Sequence, residues 1–277
     1  MALIRCRELV QDQQGRTEMA DERYNVPGLE RGLRLLQLFD RQHTLWSAPD
    51  IARELDVPRS TVFRIIQTLE LLGFVERSGS AYRLGPAVLR LGFEYIASLE
   101  ISEVARPIVE QLRDDTGFAA QLTILDGRDV VFVVRASIVS AFTSNIQVGT
   151  RLPAHATVLG RMFLAYMDDA ALRALYPEAR LPAHTPQTPK TLAELKKLLA
   201  ADRERGYAVS ESFFESGISA IAAPVRDGNG AIKAAVSLSM TQPAIDPKLR
   251  DKLVRRVLAA AAQLSHRLNY RPAEVAA

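Results

Sequence analysis

The sequence predicts an α+β chain in two domains: an N-terminal winged helix-turn-helix, then a larger domain built on an antiparallel sheet. Three observations carry this. The segment Ser47 to Leu84, SAPDIARELDVPRSTVFRIIQTLELLGFVERSGSAYRL, reads in order as helix, tight turn, helix and two short strands. Further on, strand-like runs are joined by turns such as Asp126-Gly127-Arg128-Asp129 and Asp227-Gly228-Asn229-Gly230, which make antiparallel hairpins. Helical runs flank these strands instead of alternating with them, which argues against a doubly wound parallel sheet. A length of 277 residues suits two domains.

Residues 1–25 are polar and aperiodic, and read as a disordered tail; Met19 is an equally good start. Gly28 to Asp40 places Leu29, Leu33, Leu36 and Phe39 on one helical face. Ser47 caps a helix to about Leu55, with Pro49 in its first turn and Asp50 near its positive end. Asp56-Val57-Pro58 is the turn. The next helix runs from Arg59 to about Leu72, with Ile65, Ile66, Leu69 and Leu72 as its buried stripe and Gly73 as its stop. Phe74 to Arg77 and Ala81 to Leu84 pair around Ser78-Gly79-Ser80 as a wing.

Gly85-Pro86 marks a boundary. The expected organisation is a winged helix-turn-helix over 26–85, a linker and dimerisation helix over 86–100, a second domain over 101–270 and a short tail over 271–277. The linker helix carries Val88, Leu91, Tyr95 and Leu99 on one stripe, which needs a partner to bury it. In the second domain, helices are expected over Ile101–Thr116, Thr157–Met167, Leu192–Arg205 and Pro247–Asn269. Strands are expected over Ala119–Leu125, Val130–Arg135, Thr143–Val148, Tyr207–Ser212, Ser219–Arg226 and Ala231–Met240.

Composition narrows the function. Apolar residues make up 48% and charged residues 24%, ordinary for a globular chain. No run approaches the ~18 apolar residues of a membrane span. The start is broken by Arg5, Arg7 and Glu8, a poor signal peptide. Cys6 is the single cysteine, which excludes an internal disulfide and Cys-x-x-Cys metal sites. These features point to the cytoplasm and to no membrane partner. His43, His155, His184 and His266 lack metal-ligand spacing, and no phosphate-cradling glycine loop is present, so neither metal nor cofactor is expected. His155 with Ser210 and Ser212 invites a hydrolase reading. No Gly-x-Ser-x-Gly elbow accompanies them and no acidic partner can be placed, so His155 reads as structural and the chain as no enzyme.

The formal charge of +3 permits nucleic-acid binding without arguing for it. Between Gly28 and Gly85 eight arginines face seven acids, so DNA affinity has to come from where the arginines sit and from dimeric binding. Ser60, Thr61 and Arg64 project from the start of the second motif helix, where they reach base edges and phosphates. Arg64 suits a bidentate pair with guanine, Arg59 a phosphate, and Arg77 and Arg83 on the wing the backbone or minor groove. Winged folds also serve as protein-contact modules, and a helical arginine is often only solvated.

At this point the residues resemble a family. Ile51-Ala52, Val57-Pro58-Arg59-Ser60-Thr61-Val62, Arg64, Leu69 to Val75 and Tyr82-Arg83-Leu84-Gly85 resemble the N-terminal domain of IclR-type transcriptional regulators. Val148 to Thr157 with Gly160-Arg161, Arg205-Gly206-Tyr207, and Gly217 to Val225 with Gly230 resemble that family's effector domain. The resemblance spans about Val26 to Arg267. It implies a GAF-like domain with a small-molecule pocket, a homodimer or homotetramer, a pseudo-palindromic DNA operator, RNA polymerase as a further partner, and control of catabolic operons. The run before the effector signature is similar to the subgroup that answers to aromatic acids, such as regulators of 4-hydroxybenzoate and protocatechuate catabolism.

Two departures bear on the effector. Many members carry a cysteine where Ala220 stands and an acid where Ser210 stands, positions that line the family's pocket. Their replacement favours a larger, partly apolar ligand, an aromatic carboxylate, over a small oxoacid; a non-aromatic small acid is the alternative. Phe142, Ile146, Val158, Leu159 and Ile221 are expected as apolar wall, beside Ala220, with plain core packing the competing reading for each. Ser144, Thr157, Ser210, Ser212, Ser237 and Ser239 are expected to hydrogen-bond the ligand. The start of the helix at Thr157 is expected to seat its carboxylate. A small-molecule enzyme with a DNA-binding head, and an architectural DNA binder without a ligand, stay open beside this reading.

Overall fold

The structure is a computed structural model and describes residues 25–40, 42–98, 100–138 and 146–271, with no side-chain description for 93–100. Contacts divide the chain into two compact units, between Tyr95 and Ile96.

The first unit holds α1 (Pro27–Gln37), β1 (Trp46–Ser47), α2 (Ala48–Glu54), α3 (Arg59–Leu71), β2 (Val75–Ser78) and β3 (Ala81–Leu84), and α4 (Ala87–Ser98) begins in it. Ser47 caps α2 by accepting from the Asp50 amide at 3.3 Å. Asp56 takes a left-handed backbone (φ 52°) between α2 and α3, which makes the turn tight. Leu35, Leu38, Ile51, Val62, Ile66, Val75 and Tyr82 form the core. The wing has three strands in the order β1-β3-β2, because Trp46-Ser47 pairs with Tyr82-Ala81. The Trp46 indole N–H donates to the Leu38 carbonyl at 3.0 Å and pins that third strand to the end of α1.

The expected apolar stripes shift here. In α1 the helix buries Gly32 and Leu35, followed by Leu38, while Leu29 and Leu33 are 62% and 53% exposed. The leucine-rich run offers two overlapping stripes, and packing against α3 selects one. In α3, Val62 and Ile66 are buried, Ile65 and Leu69 half-buried and Leu72 exposed. In α4, Leu89 and Leu91 are exposed.

The second unit holds α5 (Glu100–Thr116), β4 (Ala119–Asp126), β5 (Asp129–Ala136), β6 (Arg151–Pro153), a 3-10 turn (Ala154–Ala156), α6 (Val158–Leu164), α7 (Asp169–Leu175), α8 (Leu192–Arg205), β7 (Ala208–Glu211), β8 (Ser219–Arg226), β9 (Ile232–Met240) and α9 (Pro247–Arg267). The described strands form one sheet in the order β6-β5-β4-β9-β8-β7, with every described pair antiparallel. One face packs on α5 and α9 through Val109, Leu112, Ile221, Val236, Val257 and Leu264. The opposite face packs on α6 and α8 through Phe132, Ala222, Ala235, Met162, Leu195 and Leu199.

Three expectations change. Of the strand expected over Thr143–Val148, Thr143 to Asn145 lie outside the described residues, and 146–148 form loop and turn around Gly149 (φ 86°). The edge strand is Arg151–Pro153, paired with β5. A short helix that was not expected, α7, follows α6, capped by Asp168 accepting from the Ala171 amide at 2.7 Å. Gly160 in α6 passes so close to the 3-10 turn that a Cβ there would lie 2.1 Å from Ala154 Cα, a contact only glycine permits.

Candidate functional site

In the first unit, α3 presents Ser60, Phe63, Arg64 and Gln67 outward at i, i+3, i+4 and i+7. Arg59, Ser60 and Arg64 are exposed, while Thr61 is half-buried. Thr61 and Arg64 also border a groove of about 650 Å³ whose apolar lining includes Leu29, Leu33, Leu72 and Leu91. Thr61 therefore faces this groove. Phe63, 55% exposed, and Gln67 were missed by motif reasoning, although helical spacing from Ser60 and Arg64 points to both. On the wing, Arg77 lies over the Tyr82 ring at 6.0 Å, and Arg83 donates to Glu76 at 2.9 and 3.1 Å across the register pair Glu76–Arg83. Arg83 thus spends part of its charge within the wing.

In the second unit a cavity of about 260 Å³ opens over one face of the sheet. Strand register builds its floor in two rows. In one, Ser210, Ala220, Ser239 and Ala119 lie side by side on β7, β8, β9 and β4. In the next, Ser237, Gln121 and Arg135 lie side by side on β9, β4 and β5. The two family departures, Ser210 and Ala220, are thus direct cross-strand partners. A bulge after Leu122 pairs Thr123 with Phe132, which leaves Val133 extra and brings Phe132 to the same face as Arg135. Ile146, Leu152, Phe214 and Glu215 complete the rim, and Thr157, Val158 and Leu159 the wall from α6. Arg135 is the one cation among the described lining residues.

Of the expected ligand residues, Ile146, Thr157, Val158, Leu159, Ser210, Ala220, Ser237 and Ser239 meet around this cavity. Phe142 and Ser144 lie outside the described residues. Ile221 is turned away: it is fully buried against the α5–α9 side, because alternate residues of a strand face opposite ways and Ala220 takes the cavity side. Ser212 shapes a turn instead of lining the cavity. Its backbone is left-handed (φ 62°), and its hydroxyl accepts from the Gly217 amide at 3.2 Å and donates to the Pro243 carbonyl at 3.3 Å. At the expected carboxylate seat on α6 one amide is already taken. This helix has seven residues, and the Thr157 hydroxyl itself accepts from the Gly160 amide at 3.1 Å.

Gln121, Phe132, Arg135, Phe214 and Glu215 are lining residues that sequence reasoning missed. His155 stays outside the cavity, 3% exposed, and donates Nε2–H to the Pro182 carbonyl at 2.8 Å. Its ring stands edge-on to Tyr176 at 5.9 Å, and burial pushes its pKa below the ordinary 6.5. Among the described residues no cluster of metal-ligating side chains occurs, and no helix is long and apolar enough to cross a membrane.

Comparison with known proteins agrees with both halves. Residues 28–79 match the family described as the IclR helix-turn-helix domain, and residues 93–266 match the bacterial transcriptional regulator IclR C-terminal family. The chain is 32% identical over 245 residues to the Pca regulon regulatory protein of Pseudomonas putida, covering 88% of this chain and 84% of that protein. It is 30% identical over 247 residues to the HTH-type transcriptional regulator XynR of Escherichia coli K12, covering 88% and 98%. Among solved structures it is similar to an IclR homologue of Microbacterium hydrocarbonoxydans complexed with 4-hydroxybenzoate, with a TM-score of 0.76, 28% identity, and coverage of 87% and 98%. The two named relatives are regulators, not enzymes.

Proposed function

The chain belongs to the IclR family of bacterial transcriptional regulators, and we propose that it controls a catabolic operon in the cytoplasm in response to an aromatic carboxylate. The observation that carries the effector class is the cavity: about 260 Å³, with apolar walls from Phe132, Ile146, Val158 and Leu159 and a cation, Arg135, in the same lining. The solved relative that holds 4-hydroxybenzoate supports the same class.

On the DNA side, Arg64 reads a base, Arg59 holds a phosphate, and Ser60, Thr61 and Phe63 sit beside them on α3. Arg77 and Arg83 bring the wing to the backbone. Two such heads bind the two halves of a pseudo-palindromic operator. The exposed leucines Leu29, Leu33, Leu72 and Leu91 support dimerisation, because an apolar groove of that size needs cover. Effector switches the protein only by binding one arrangement of the paired heads more tightly than the other.

A thermal-shift screen of the full chain with benzoate-type and short aliphatic acids tests the effector class, since a ligand specific to the folded state raises its stability. Benzoate-type acids should raise the midpoint. A rise with small oxoacids alone would make the chain a small-acid regulator, and no rise with any acid would leave a DNA binder without this switch.

A further inference from the structure

Two side chains on the outward face of α3 take no part in the packing of the first unit. Phe63 is 55% exposed, and Gln67 is exposed beside it. The core takes Val62 and Ile66 from this helix, and the leucine-lined groove takes Thr61, Ile65, Thr68 and Leu72. Phe63 and Gln67 line neither, so covering the groove does not account for them. Ser60, Phe63, Arg64 and Gln67 recur at i, i+3, i+4 and i+7. At that spacing one helix lying in the major groove brings four side chains to base edges. Four residues separate Phe63 from Gln67, about 6 Å of helix axis, or about two base-pair steps of about 3.4 Å.

The chemistry of the two side chains selects the bases. In the major groove a single base edge carries an apolar group, the C5 methyl of thymine. A phenyl ring laid on any other edge covers a nitrogen or oxygen without a hydrogen bond, at a cost. Gln67 offers a donor and an acceptor side by side. Adenine offers the matching pair, N7 to accept and N6 to donate, whereas guanine presents two acceptors and cytosine one donor. Glu70 Oε2 accepts from the Gln67 amide nitrogen at 3.3 Å. That contact leaves the second N–H and the carbonyl oxygen of the amide for a base.

We propose that Phe63 and Gln67 are specificity-determining residues: Phe63 selects a thymine by its methyl group, and Gln67 selects an adenine by N6 and N7. Both bases lie within about two base-pair steps of the guanine assigned to Arg64. The inference rests on the DNA-reading role of α3 proposed above and adds which base pairs that helix selects. Each half-site then holds at least one A·T pair close to a G·C pair.

Chemically altered DNA tests this with the full-length protein. Sites that the wild type enriches from random DNA are resynthesised with deoxyuridine at single thymines, which removes only the methyl group. A second set carries 7-deazaadenine at single adenines, which replaces only N7 by a C–H. Anisotropy titrations compare wild type, Phe63→Ala and Gln67→Ala. At one thymine, deoxyuridine should weaken wild-type binding about threefold or more and leave Phe63→Ala unaffected. At one adenine, 7-deazaadenine should weaken wild-type binding about threefold or more and leave Gln67→Ala unaffected. Both side chains are exposed, so both variants should melt with the wild type. If deoxyuridine weakens wild type and Phe63→Ala equally at every thymine, or weakens neither, Phe63 does not select thymine; the same outcomes with 7-deazaadenine overturn the role of Gln67. A variant that loses selected and random DNA in equal measure also overturns the reading role of its residue. In these cases the selected site is still bound, and the DNA-reading role of α3 stands. Failure to enrich any site removes that role, and this inference with it.

Discussion

Arg161 and Asp202 form a two-pronged ion pair sealed inside the second unit. Nε reaches Oδ2 at 2.7 Å and Nη2 reaches Oδ1 at 3.2 Å, with the side chains 1% and 0% exposed. Nη2 also donates to the Val209 carbonyl at 2.8 Å. One guanidinium therefore ties α6 to α8 and to β7. Because α6 carries Val158 and Leu159 and β7 carries Ser210, the pair fixes two walls of the cavity relative to each other.

Removing Asp202 leaves the Arg161 charge buried with no acidic partner and costs more than the pair contributes, whereas removing Arg161 leaves Asp202 still paired with Arg205 at 2.5 Å. Asp202→Ala should lower the unfolding free energy by about 3–5 kcal/mol in urea titrations, and Arg161→Ala by less, because Arg205 still faces Asp202. The double replacement Arg161→Met with Asp202→Leu should recover much of that loss. Single variants within about 0.5 kcal/mol of wild type, the range of ordinary surface changes, would contradict this role.

Arg64→Ala should weaken binding to DNA selected by the wild-type protein by about 1–3 kcal/mol and relax preference at one base position. Fluorescence anisotropy against single-base variants of that site measures both. Unchanged affinity would show that another residue of α3, with Phe63 the nearest on the same face, reads that base.

Glu76→Gln should tighten DNA binding and steepen its dependence on salt. The change releases Arg83 from its wing partner, and each cation that reaches a phosphate adds about one to the magnitude of the salt slope. A slope equal to wild type would mean that Arg83 stays clear of the backbone.

His155 makes stability depend on pH in a defined direction. Burial holds its pKa below the ordinary 6.5, so the unfolded chain takes up a proton first as pH falls. Its contribution is complete above about pH 6.5 and is lost as pH drops towards the lowered folded value. Thermal midpoints measured from about pH 7.5 down to pH 5.5 should fall more steeply in wild type than in His155→Gln. Parallel curves would show that His155 does not drive the slope.

Local chemistry made much of this legible. Ser47, the Asp56-Val57-Pro58 turn and Gly73 mark the ends of α2 and α3, so α3 and its exposed Ser60 and Arg64 follow from spacing. Residues that depend on register were harder to place. Ile221 and Ala220 are both apolar, and only pairing with β9 decides which faces the cavity. Phe132 and Arg135 share a face only because of a bulge after Leu122, which no alternation in β5 announces. Gln121 has the sequence context of an ordinary strand residue, and only strand register sets Ser237 and Arg135 beside it. The leucines of α1 illustrate the same limit for helices, since Leu29 and Leu33 have the right period yet lie outside the core.

One chain is expected to couple a DNA reader to an acid-binding pocket. Selecting DNA from a random pool with the full-length protein, then titrating the selected site with and without saturating 4-hydroxybenzoate, tests it most directly. Such coupling should enrich a two-fold symmetric site whose affinity changes about 5–150-fold with the acid, the range of typical coupling free energies. A symmetric site bound equally well with and without the acid would contradict the coupling, and failure to enrich any sequence would contradict the DNA reader itself.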